Sequence, residues 1–158
     1  MSGSSHGPSP EAQALFDHAR CELQWLLEDG YTESRAELDG ASFRLDYRSQ
    51  HAAVMIGVYL FISEFTVFVG LPGMTASSGD RVDLRRILRV LGLPVPSSLP
   101  PNGASLPQMH AYLDGYLDGL RALRHDILGG DWRRYDRARD DESDRAWRQR
   151  MSRDQPAG

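Results

Sequence analysis

The stretch that most constrains this chain is Phe43 to Gly70, FRLDYRSQHAAVMIGVYLFISEFTVFVG, because it gathers most of the β-branched and aromatic residues into one block. No other segment can supply a sheet. Phe43, Leu45 and Tyr47 alternate with Arg44, Asp46 and Arg48, the period of a strand with one buried face. The polar face then disappears. From Ala52 to Ile62 there is no charge, and Val54, Ile56 and Val58 share one side while Met55, Tyr59 and Phe61 take the other. Such a strand calls for cover on both faces. With a turn placed at Glu64 and Phe65 to Val69 returning, the block predicts an antiparallel meander. A membrane helix is the rival reading, since Ala52 to Met74 carries a single charge and is long enough to span a bilayer. It fails on Glu64, which would lie at the midplane, on the interruptions at Gly57, Gly70, Pro72 and Gly73, and on arginines at both flanks, which leave no orientation bias.

Flanking segments supply helices. Ser9 is placed to cap a helix that Pro10 opens, and Leu15, Phe16, Ala19, Leu23, Leu26 and Leu27 recur at helical steps as far as Asp29, with Gly30 as the stop. Trp25 falls off this stripe. Tyr31 to Leu38 alternates weakly and reads as a short edge strand or as irregular, before the Asp39-Gly40 turn. After the sheet, Asp80 is expected to cap a short helix with Leu84, Ile87, Leu88 and Leu91 on one face, ended by Gly92. A Pro-rich surface linker over 92–107 separates it from the longest periodic segment, where Met109, Tyr112, Leu113, Tyr116, Leu117, Leu120, Leu123 and Ile127 make one apolar face over about five turns. Gly129-Gly130 closes that helix.

The expectation is therefore a single α+β domain over 9–135. An antiparallel meander of three to four strands carries the N-terminal helix and the long C-terminal helix on one face. Residues 1–8 are read as a disordered leader, and 136–158 as a charged tail, partly helical or disordered. A formal net charge of −4 argues against a nucleic-acid surface. All 18 basic residues are arginine, and Cys21 is the single cysteine, which excludes an internal disulfide and suits a reducing, cytoplasmic setting.

No residue set in the sequence demands a chemistry. On the long helix His110, Asp114, Asp118, Arg121 and His125 fall within an arc of about 80° opposite the apolar face. His110 and Asp114 could offer two ligands to one metal, but zinc needs three or four, so the arc is read as a solvated face with Asp118 pairing Arg121. No metal or cofactor is expected. The tandem YLDGYLDG places Gly115 and Gly119 inside a helix, at a cost of about 2 kcal/mol relative to alanine, which implies close approach of a second backbone, from the sheet or a partner helix. His18, Cys21 and Glu22 share a face of the first helix without a third orienting group, so Cys21 is read as a small hydrophobe.

The order helix, meander, helix, long helix, the FRLDYRS strand following a Gly30-Tyr31 helix break, and the Leu-Gly-Gly-Asp turn at Leu128 to Asp131 together resemble a loose group of small, mostly uncharacterised bacterial proteins, some of them immunity-like proteins of toxin systems. That resemblance covers about Leu15 to Tyr135. It implies a non-catalytic protein that binds and blocks one protein partner, and it carries over no functional residue; the Pro-rich insertion and the arginine-aspartate tail depart from its compact plan. From the residues themselves, Phe61, Phe65 and Phe68 are expected to leave the far sheet face too apolar to stay bare, making it a site for a protein partner or for self-association unless the short helix covers it. The alternative is a small-molecule or enzymatic site between sheet and long helix, lined by Tyr112 and Tyr116.

Overall fold

A computed structural model describes residues 7–62, 64–75, 81–97 and 104–154. The chain is α+β, with one antiparallel sheet of five strands in sequential order: β1 (Thr32–Asp39), β2 (Ser42–Arg48), β3 (Ala53–Tyr59), β4 (Glu64–Gly70) and the two-residue β5 (Val82–Asp83). Its helices are α1 (Pro10–Glu22), α2 (Gln24–Glu28), α3 (Leu84–Val90), α4 (Leu106–Ala122) and α5 (Arg133–Asp154). The sheet is larger than the expected three or four strands because the weakly alternating 32–39 segment pairs along its whole length with β2, and Val82 and Asp83 pair with Val69 and Phe68.

The pleat decides which side chains are buried. In the registered pairs Phe43↔Val58, Leu45↔Ile56 and Tyr47↔Val54, then Val58↔Phe65, Ile56↔Val67 and Val54↔Val69, every member points into one core. Helical side chains meet that same face: Phe16 of α1 lies edge-on to Phe43 with ring centroids 5.6 Å apart, and Tyr116 of α4 stacks on Phe65. Leu84, Ile87 and Leu88 of α3 belong to this core as well, so α3 does not cover the far face of the sheet. Burial of each of these large apolar side chains contributes about 1.5–3 kcal/mol.

Local chemistry sets the helix ends, and several differ from the sequence expectation. Ser9 does cap α1, its hydroxyl accepting from the Ala12 N–H at 3.1 Å. The helix then breaks at Leu23 (φ −98°, ψ 10°) and resumes as α2. One continuous helix would leave Trp25 off its stripe; after the break Leu23, Trp25 and Leu26 are all buried, while Leu27 turns outward. Asp80 lies outside the described residues, and the cap of α3 is Asp83, which accepts from the Arg85 N–H at 2.8 Å. Ser105 and Gln108 form a reciprocal capping box that starts α4. That helix stops at Ala122, and a 3-10 turn at Ile127–Gly129 follows, a change of direction that buries Leu123, Ile127 and Leu128 together.

The glycines of α4 are packed mainly by side chains of the same chain, Gly119 by α3 and Gly115 by Pro96. A Cβ on Gly119 would stand 2.7 Å from Leu88 Cδ1, and one on Gly115 would stand 3.4 Å from Pro96 Cβ. Pro96 is buried by that contact, so this part of the Pro-rich segment is packed against α4; residues 98–103 lie outside the described residues. Two cross-links tie the ends of the core together. Tyr31 donates its buried hydroxyl to the Leu128 carbonyl at 2.7 Å, and Arg124 grips Asp29 in a two-point ion pair.

Gly130 combines a left-handed φ of 94° with close packing, since a Cβ there would lie 2.9 Å from His51 Nδ1. Both the backbone and the space favour glycine. Gly130→Ala is therefore expected to destabilise the fold by about 1–3 kcal/mol, seen as a lower urea midpoint with an unchanged slope.

Candidate functional site

The three phenylalanines of the expected partner face do not share a face. Phe65 points inward and stacks on Tyr116. Phe68 points to the opposite face, beside Met55 and Met74, with the Arg81 guanidinium 4.4 Å from its ring centroid. Phe61 lies in neither layer: the β3–β4 turn is a 3-10 segment at Leu60–Ile62, with Glu64 already inside β4. Phe65 and Phe68 stand three residues apart on β4, so the two-residue period itself sends them to opposite faces, and the 3-10 turn takes Phe61 out of the sheet.

The far face of the sheet is more polar than its apolar sequence suggested. Asp46 is only 4% exposed and receives two hydrogen bonds from Arg44, at 3.1 and 3.0 Å, while Arg35 stands opposite on β1. A carboxylate so desolvated depends on that pairing. Tyr59 lies along Gly57, where a Cβ would stand 3.2 Å from its ring, and Met74 covers Ala53 and Met55. Three bare apolar side chains gather at the hairpin tip, with Phe61 91% exposed, Ile62 67% and Tyr59 42%, while Leu71, Trp147 and Met151 are exposed elsewhere. The Leu60 N–H bonds the Ala41 carbonyl at 2.9 Å, which fixes the tip beside the β1–β2 turn.

The pocket proposed between sheet and long helix is occupied by protein. Tyr116 is buried against Phe65 with its hydroxyl pKa raised by burial, and Tyr112 lines a separate shallow hollow with Val95, Pro96 and Gln108. A groove of about 580 Å³ lies between the β5–α3 junction and the first turns of α5. Leu71, Val82, Trp132 and Tyr135 supply its apolar wall, and Arg81, Arg86 and Arg139 its charge, opposed by Asp83 and Asp136. The sequence alone shows Trp132 and Tyr135 only as two aromatic residues after a glycine turn. It could not place the arginines of α3 beside them, because no local spacing links residues some fifty positions apart.

At the start of α5, Asp131 accepts hydrogen bonds from the Arg133 side chain and from the Arg133 N–H. These two contacts, the side-chain one first, hold its pKa down to about 2. Asp131 favours the folded chain above the ordinary carboxylate range, and that contribution is lost as pH falls towards 2. Carboxyl-carbon NMR should give a midpoint near 2 that rises towards the ordinary value of about 3.9 in Arg133→Ala.

The arc on α4 is not simply solvated. His18 of α1 reaches Asp114 with Nε2 2.5 Å from Oδ1, and the His18 and His110 rings meet edge to face at 5.0 Å. Arg121 lies over Trp25, and no ion pair joins it to Asp118 among the described residues. Among the described residues no group of three His, Cys, Asp or Glu could hold a metal ion. Cys21 is exposed, contrary to a packing role on the helix flank. The His18–Asp114 pair is half-exposed, so a double-mutant cycle with His18→Gln and Asp114→Asn should return a coupling of about 1 kcal/mol or less; a larger value would mark the pair as a principal α1–α4 fastener.

No described helix is long and apolar enough to cross a membrane. Comparison of the chain with models of known protein families, with curated proteins and with solved structures finds no match.

Proposed function

We propose that this chain is a non-catalytic protein-binding module, immunity-like in acting by covering a surface of one protein partner. The observation that carries this reading is the apolar tip of the β3–β4 hairpin. Phe61 is 91% exposed and Ile62 67%, on the segment after Leu60, whose N–H bonds the Ala41 carbonyl. Burying both on a partner would contribute about 1.5–3 kcal/mol each. Tyr59 extends the patch, and aromatic anchors of this kind dominate binding energy at protein interfaces. The charged rows of β1 and β2 beside it would form a polar rim. A cytoplasmic setting accords with the exposed free thiol of Cys21.

The test is affinity capture from the source cells with the full chain as bait, alongside light scattering on the purified protein. Wild type is expected to hold one stoichiometric protein, and Phe61→Ser with Ile62→Ser to lose it while keeping the wild-type urea midpoint. A purified dimer that this double variant disperses would make the partner a second copy of the chain. Undiminished capture by the double variant overturns the assignment of the tip.

A further inference from the structure

β1 lies at the edge of the sheet with β2 as its neighbour, and among the described residues no hydrogen bond reaches the outer side of its backbone from Ser34 to Leu38. An open edge is a template for another strand. At the opposite edge β5 pairs with Val69 and Phe68 and leads directly into α3. We propose that two copies of this chain pair along β1, antiparallel and about a twofold axis at Ala36, so that the two sheets become one. Such an interface is self-complementary, and each of its contacts occurs twice.

The side chains of β1 select that register and the second copy as the occupant. Arg35 and Glu37 share the far face of the sheet, opposite Asp46 and Arg44 of β2, with 3.5 Å between their charged groups, and both are exposed. Centring the pairing on Ala36 sets Arg35 of each copy opposite Glu37 of the other, which gives two oppositely charged cross-strand pairs. Every other centre fails. A centre at Arg35 or at Glu37 sets that charge against its own copy, a centre at Leu38 sets Glu37 against Asp39, and Ser34 falls in the bulge where the β1–β2 register shifts. Beyond the bulge Glu33 is turned to the helix side, where the Arg20 guanidinium donates to it at 2.9 and 3.0 Å and the Tyr47 hydroxyl at 3.1 Å. Charges and a bulge are the usual protection of an edge. Here they reject other registers and leave one self-pairing neutral. A single strand pair buries less surface than a stable dimer needs, so the association is weak and concentration-dependent.

Sedimentation velocity on the full chain, from on the order of 10 μM to 1 mM, is expected to show a monomer–dimer equilibrium. Amide NMR over the same range should show concentration-dependent shifts centred on β1 and the β2 residues paired with it. Arg35→Glu and Glu37→Arg each set like charges opposite one another and should weaken the dimer by roughly tenfold or more. Mixed together, the two variants should associate as wild type does, because every cross-strand pair between them is then of opposite charge. A loss of folding cannot produce that recovery. Phe61→Ser with Ile62→Ser should dimerise as wild type does, which separates this edge from the protein-binding tip. The proposal is overturned by a monomer throughout the concentration range, by a dimer that neither charge reversal weakens or that the hairpin double variant disperses, or by shifts centred away from β1. It is equally overturned if the mixture stays monomeric while both charge variants keep the wild-type amide spectrum; should either variant fail to fold, the wild-type shift map decides alone.

Discussion

The structure depends on the pleat of β3 held between β2 and β4. Alternation sends Val54, Ile56 and Val58 to one face, and antiparallel register sets them opposite Tyr47, Leu45 and Phe43 on one side and Val69, Val67 and Phe65 on the other. Nine apolar side chains thereby form one surface that water cannot cover cheaply. The short helices α1, α2 and α3 would not persist alone; they are helical because they dock there. The break at Leu23 and the early end of α4 follow from the same demand. Each redirects the chain so that side chains on two sides of an ideal helix reach one core.

The far face solves its exposure differently. Its Asp46 is nearly as buried as a core residue, yet it sits among Arg44 and Arg35 and not under a second layer of helices. Tyr59 shields Gly57, Met74 caps Ala53 and Met55, and Arg81 covers Phe68. The apolar surface left over is displaced to the hairpin tip. A concentrated tip is a better anchor than a flat sheet face, because a protruding pair of side chains can enter a partner's hollow with few polar groups to desolvate.

The groove between the β5–α3 junction and α5 takes its aromatic wall from Trp132 and Tyr135 and its arginines from both sides, Arg81 and Arg86 on one and Arg139 on the other. Beyond its first turns α5 is mostly charged, with Trp147 and Met151 exposed, and its start is tied to the core by Tyr135, by Trp132 just before it, and by Arg134, which donates to the Leu91 carbonyl and faces Asp126.

The sequence by itself determined the meander, the inward identity of Phe43, Leu45 and Tyr47, the cap at Ser9, and the glycine turn after Leu128. These are local: a two-residue period, a side chain reaching its own backbone, or a backbone angle that one residue type adopts readily. Tertiary structure decided the rest. It chose where helices break, moved Phe61, Phe65 and Phe68 to three different environments, seated Pro96 on Gly115 and Leu88 on Gly119, and brought His18 to Asp114 across 96 positions. Such contacts arise when the chain closes around one face of the sheet, and no periodicity along the chain encodes a distance between elements that meet only through that closure.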